Sequence, residues 1–149
     1  MKKRSQQSLQ TQHYFHKQLL KLKKKCENNG WNVLIKRRLE DEVDFKQRLI
    51  TINSSNLAET QLYRLLHEIG HIILSEEKDY FEKFNEDYDS IKNLKLLRNR
   101  IKMLVEEVNA WDRGYAFAKQ EKIKLNIKNF EDCKAFCLKC YINWIINNG

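Results

Sequence analysis

The chain has 149 residues, no proline and only four glycines, so it has few means of breaking a helix. Long helices are therefore the expectation. Residues 8 to 28 place Leu9, His13, His16, Leu19, Leu20 and Lys23 near helical spacing, and Asn28-Asn29-Gly30 reads as the stop. The strongest periodic signal runs from Ile91 to Gln120, where Leu94, Leu97, Ile101, Leu104, Val108, Trp111, Tyr115 and Ala118 alternate spacings of three and four. A last helix is expected over Phe130 to Asn147, with Phe136, Cys137, Cys140, Tyr141 and Trp144 facing inward. The polar stretch 76 to 89 holds Tyr80, Phe81, Phe84 and Tyr88 and reads as a short aromatic-anchored helix.

Two segments break the helical pattern. Trp31–Lys36 and Arg48–Asn53 are short and rich in Val, Ile, Leu and Thr, which suits strands, and the charged stretch from Arg37 to Lys46 between them reads as a turn or a solvated strand edge. A small antiparallel sheet is expected. Ser54, Ser55 or Asn56 can cap the next helix, which runs to about Ser75, with Glu59 completing a capping box if Asn56 is the cap. The class is α+β, dominated by helices.

Hydrophobic residues make up 42% of the chain, enough for one core of ordinary size. The expected organisation is a basic N-terminal helix or arm over 1–29 and a domain over 30–149, together one compact unit. No apolar run approaches a bilayer span and no secretory leader is evident, so a cytoplasmic location is expected, with the four cysteines reduced. The net charge of +8 is confined to one end: residues 1 to 25 carry eight basic and no acidic side chains, and the rest carry 20 of each sign. Such an arm suits a nucleic acid or an acidic partner, or a solvated helix face that keeps the protein soluble.

Chemistry enters at Leu66-His67-Glu68-Ile69-Gly70-His71-Ile72, which contains H-E-x-x-H. Histidines four apart on a helix face the same way one turn apart, so both imidazoles can hold one Zn²⁺ while the intervening glutamate serves as catalytic base. The apolar stripe of this helix, Leu62, Leu65, Leu66, Ile69, Ile72 and Ile73, lies almost opposite the histidines on a helical wheel, so a pair of surface histidines is the plain alternative. A third ligand is expected from the long helix. At about 100° per residue its apolar seam points about 170° away from Glu106 and about 70° from Glu107. Glu107 is therefore the expected ligand and Glu106 is expected to face solvent. Gly114, two turns on, leaves room for a substrate or another backbone. Two imidazoles and one carboxylate keep a fourth metal position open, the mark of a catalytic zinc, and peptide hydrolysis is the natural reaction. Tyr63, Tyr115 and Arg113 are candidates for stabilising the oxyanion.

The order of Arg48-Leu-Ile-Thr-Ile-Asn53, then Leu62 through Leu74, then Glu107-Val-Asn-Ala-Trp111 resembles the ImmA/IrrE-type metallopeptidases of bacteria and their mobile elements. The resemblance covers residues 48 to 118. It implies a zincin-like domain with His67, His71 and Glu107 as zinc ligands, Glu68 as base, and narrow proteolysis of a regulatory protein such as a repressor. Val108 stands where that family usually has Ala, and the apolar-Met-Pro ending that often follows the third-ligand helix is missing, which suits a phage-encoded side branch.

Other constellations have plainer readings. Cys133, Cys137 and Cys140 have C-x3-C-x2-C spacing but share one face of a helix beside Phe136 and Trp144, which suits a core. His13 and His16 suit a half-buried helix face. The rival function is a non-catalytic, zinc-stabilised module that binds DNA or a protein through the basic arm.

Overall fold

The computed structural model describes residues 2–77 and 97–147, with side chains from residue 8 onward. The expected aromatic helix around Tyr80 to Tyr88 and the start of the long helix at Ile91 lie outside the described residues. The elements in chain order are α1 (Lys2–Asn28), β1 (Asn32–Lys36), β2 (Glu42–Asp44), β3 (Leu49–Asn53), α2 (Ala58–Glu76), α3 (Leu97–Gln120) and α4 (Ile127–Asn147). The class is α+β with helices dominant, as the sequence predicts. Contacts gather the chain into two units, 1–68 and 69–149, and the division falls inside α2.

In the first unit α1 buries Phe15, Leu19, Leu22 and Cys26 at helical spacing and packs along β1. His13 and His16 are exposed. The helix stops where the Asn-Asn-Gly run predicts. Gly30 takes a left-handed φ of 81°, its N–H reaches the Glu27 carbonyl at 3.0 Å, and the Trp31 N–H reaches that of Cys26 at 3.1 Å. This pair of bonds satisfies carbonyls that the helix end leaves open. The Arg48 guanidinium then donates to the carbonyls of Gly30 and Asn29 and covers the Trp31 ring, joining the start of β3 to the end of α1.

The sheet corrects the antiparallel expectation. Its order is β1-β3-β2: β1 pairs with β3 in parallel, Asn32 opposite Leu49 and Lys36 opposite Asn53, and only β2 runs antiparallel, with Val43 opposite Ile50. Of the two readings of the charged stretch, a turn or a solvated strand edge, the second holds for Glu42–Asp44, which forms the edge strand β2. Being central, β3 buries Ile50, Thr51 and Ile52 in succession rather than alternately. The Thr51 hydroxyl donates to the Glu40 carbonyl at 2.8 Å, and the Asn53 N–H donates to Asp41 Oδ1 at 2.7 Å, so the charged loop before β2 is tied back to the strand. The helix α2 begins one residue later than expected, with the Leu57 carbonyl accepting from the Gln61 N–H and the Gln61 side chain donating to the Asn56 carbonyl.

In the second unit α3 and α4 form an antiparallel pair. Trp111 meets Phe130 edge-on at 5.4 Å, Lys134 bonds Asp112 at 2.7 Å, and Arg100 donates to the Ile145 carbonyl near the other end. The turn between them opens with Lys122 at φ 56° and closes with Asn126, whose side chain caps α4 by accepting from the Asn129 N–H. The predicted inward face of α4 is partly wrong. Cys137 is buried and Tyr141 and Trp144 are half-buried, but Phe136 and Cys140 are exposed, because Phe130, Cys137, Tyr141 and Trp144 already complete a stripe that those two residues fall outside.

Candidate metal centre

The middle of α2 is closed off on nearly every side. Leu62, Tyr63, Leu65, Leu66, Ile69, Ile72 and Leu74 are buried, and His67 and Glu68 are buried with them at 7% and 3% exposure. The plain alternative of two surface histidines therefore does not hold. On this continuous helix His67 and His71 stand one turn apart.

Gly70, between the histidines, sets the distance to the next helix. A Cβ at that position would overlap the backbone carbonyl oxygen of Ala110 and come within 2.7 Å of its carbon. Only a residue without a side chain lets α2 and α3 touch backbone to backbone here. That approach carries α3's acidic pair to His71. Glu107 Oε1 lies 3.4 Å from Nε2 of His71, and Glu106 Oε1 lies 3.6 Å from Nδ1 of the same ring. Both carboxylates are buried. The expectation that Glu106 faces solvent is thus wrong. The buried face of α3 consists of Asn99, Arg100, Glu106, Glu107, Ala110, Trp111, Gly114 and Ala118, while Leu97 and Ile101 of the expected seam are exposed. Polar side chains, not the apolar ones, define this face in the first half of the helix.

His67, His71 and Glu107 each offer one ligand atom, and these atoms lie within 4.8 Å of one another. Metal bonds of about 2.1 Å at tetrahedral angles separate ligand atoms by about 3.4 Å, the spacing of His71 Nε2 and Glu107 Oε1. Two imidazoles and one carboxylate, all sequestered from bulk water, also have the chemistry of an open zinc site. The donor set fits a divalent metal. Among the described residues no group with suitable geometry includes Cys133, Cys137 or Cys140.

Around this cluster the carboxylate of Glu68 lies 3.3 Å from Nδ1 of its neighbour His67. Asp41 pairs with Arg64 at 3.3 Å, and burial pushes the Asp41 carboxyl above the ordinary carboxylate range. The Asn53 N–H and the Arg64 charge pull the other way, and the nearby charge of Glu68 adds to the rise. Sequence reasoning missed Asp41 and Glu106: one sits in a loop that reads as solvated, the other on a helix face that reads as exposed. The three oxyanion candidates have other engagements. Tyr63 is core, packed on Phe15 with its hydroxyl donating to Glu59; Tyr115 packs on Phe130; and Arg113 pairs with Glu77 at 2.6 Å.

Residues 25–95 match the IrrE N-terminal-like domain, a peptidase family. The matched stretch holds the sheet and the H-E-x-x-H of α2 and ends before α3, so it does not reach Glu107. No curated protein and no solved structure matches the chain.

Proposed function

From the match of residues 25–95 to the IrrE N-terminal-like domain, we propose that the chain is a zinc-dependent metallopeptidase of the ImmA/IrrE type with His67, His71 and Glu107 as ligands and Glu68 as base. The observation that carries the reading is the buried convergence of two imidazoles and a carboxylate within 4.8 Å, on a helix whose motif also supplies a glutamate. A zinc ion in such a set supplies Lewis acidity toward a peptide carbonyl and lowers the pKa of a water toward ~7. The protein's own part is to hold the ligands, to keep bulk water away, and to move a proton: Glu68 accepts it from the attacking water and returns it to the leaving amine. The buried carboxylate is suited to that exchange because little solvent competes for the proton. By family likeness the substrate is a regulatory protein cut at few sites, in the cytoplasm.

The test is metal content by elemental analysis together with proteolysis of candidate regulators. The wild type is expected to hold about one zinc per chain. His67→Ala and Glu107→Ala lose metal and activity together, whereas Glu68→Gln keeps the metal and loses at least about 100-fold in rate. A wild type that binds no zinc at neutral pH overturns the reading.

Exposed Lys17, Lys21 and Lys24 along α1 favour a second reading, in which the protein also binds DNA or an acidic partner. Association with duplex DNA should then weaken steeply with salt and disappear when the three lysines are changed to glutamate.

A further inference from the structure

We propose that Glu106 is a positioning residue: its carboxylate accepts the Nδ1 proton of His71 and so fixes that imidazole with Nε2 turned to the metal. The inference rests on the metal-centre reading above. Its basis is an arrangement the sequence does not announce. Two consecutive glutamates of α3 flank the two nitrogens of one ring, Glu106 Oε1 at 3.6 Å from Nδ1 and Glu107 Oε1 at 3.4 Å from Nε2. The two sides of the ring differ in what they offer. On the Nε2 side stands the ligand cluster, with His67 one turn away; on the Nδ1 side stands Glu106, only 6% exposed. A neutral imidazole has one donor and one acceptor nitrogen, so a carboxylate beside Nδ1 selects the tautomer whose Nε2 lone pair is available to a cation.

The apolar periodicity of α3 directs this position away from the seam, and a carboxylate withdrawn from water is costly unless its oxygens find partners. Contact with a metal-ligating imidazole supplies one, since a carboxylate oriented on the far nitrogen of such a histidine raises its basicity and restricts its rotation. At 3.6 Å the pair is longer than a formed hydrogen bond, and closing to about 2.9 Å needs only a small side-chain rotation. Bonds of this kind commonly shorten when a site is engaged. The backbone contact at Gly70 and Ala110 holds α3 four residues from Glu106, which limits how far the carboxylate can drift.

The experiment measures zinc affinity of the full chain by competition with a chromophoric chelator, for the wild type, Glu106→Ala and Glu106→Gln, with circular dichroism confirming that each is folded. Glu106→Ala is expected to bind zinc about 10- to 100-fold more weakly, and Glu106→Gln, whose amide oxygen still accepts from Nδ1, is expected to recover much of that loss. Long-range proton–nitrogen spectra of the zinc-loaded protein should show His71 protonated at Nδ1, with that proton protected from exchange in the wild type and unprotected in Glu106→Ala. Unchanged zinc affinity in Glu106→Ala overturns the proposal even if the wild type binds zinc normally, as does equal weakening in the Ala and Gln variants with no change in the Nδ1 proton. A wild type that binds no zinc removes the metal-centre reading itself, and the role of Glu106 with it.

Discussion

At the scale of single residues, burial governs reactivity in two opposite ways. Glu107, Glu106 and Glu68 are acidic groups kept from solvent beside histidines, where withdrawal from water concentrates their effect on a neighbour. Cys26 is withdrawn among apolar side chains, and there burial pushes the thiol up from 9.0 to about 11, with the charge of Glu27 adding to the rise. Because the folded value lies above the unfolded one, the folded chain keeps this proton longer. The associated stability is present in full below pH 9 and is lost as pH rises toward about 11. Two pH units correspond to roughly 3 kcal/mol at most. Urea unfolding at about pH 8 and about pH 10.5 should therefore show a smaller alkaline loss for Cys26→Ala than for the wild type. The same thiol should resist alkylation in the native protein, while the exposed Cys140 reacts readily.

At the scale of elements, the contact between α2 and α3 is the most exacting feature. Gly70→Ala gives the helix a better former, worth about 1 kcal/mol in isolation. In place, the added methyl group meets the Ala110 backbone, which has no flexible end to move aside. The expected outcome is a net destabilisation of about 1–3 kcal/mol and a wider gap between His71 and Glu107, read as a lower melting temperature and weaker metal binding. A variant as stable as the wild type, with equal metal affinity, counts against the close approach. What the sequence disclosed about these elements varied with the physics behind each. Helix ends set by local bonds were legible, as at Asn28-Asn29-Gly30. That His67 and His71 share a face was legible because a 3.6-residue period fixes which side chains of one helix stand together. Strand pairing was not, since β1 is compatible with either direction and only tertiary context selects the parallel one. Nor was the face of α3. Its apolar residues suggested one seam, but Asn99, Arg100, Glu106 and Glu107 are buried by the partners they find, and hydrophobic periodicity carries no record of such partners.

At the scale of the molecule, metal and fold should be linked. A ligand held by the folded chain and not by the unfolded one stabilises in proportion to the logarithm of its concentration over Kd. Treatment with a strong chelator should lower the melting temperature, by an amount equivalent to about 3–4 kcal/mol if the ion is normally present at some hundred to a thousand times Kd. His67→Ala should melt near the chelated wild type and be indifferent to chelator. No helix among the described residues is long and apolar enough to cross a membrane.

The strand order β1-β3-β2 has a consequence in time. Strands β2 and β3 are joined by a tight turn in which the Gln47 N–H bonds to Asp44 Oδ1, so their ladder closes a short loop. The parallel ladder of β1 on β3 cannot close until the whole crossover, β2 included, has been laid down. Loop-closure entropy rises with the length enclosed, which favours the hairpin as the earlier event and leaves β1, with α1 behind it, to join a template already formed. The helix α1 and strand β1, though made before β3, are then among the last parts to reach their native place.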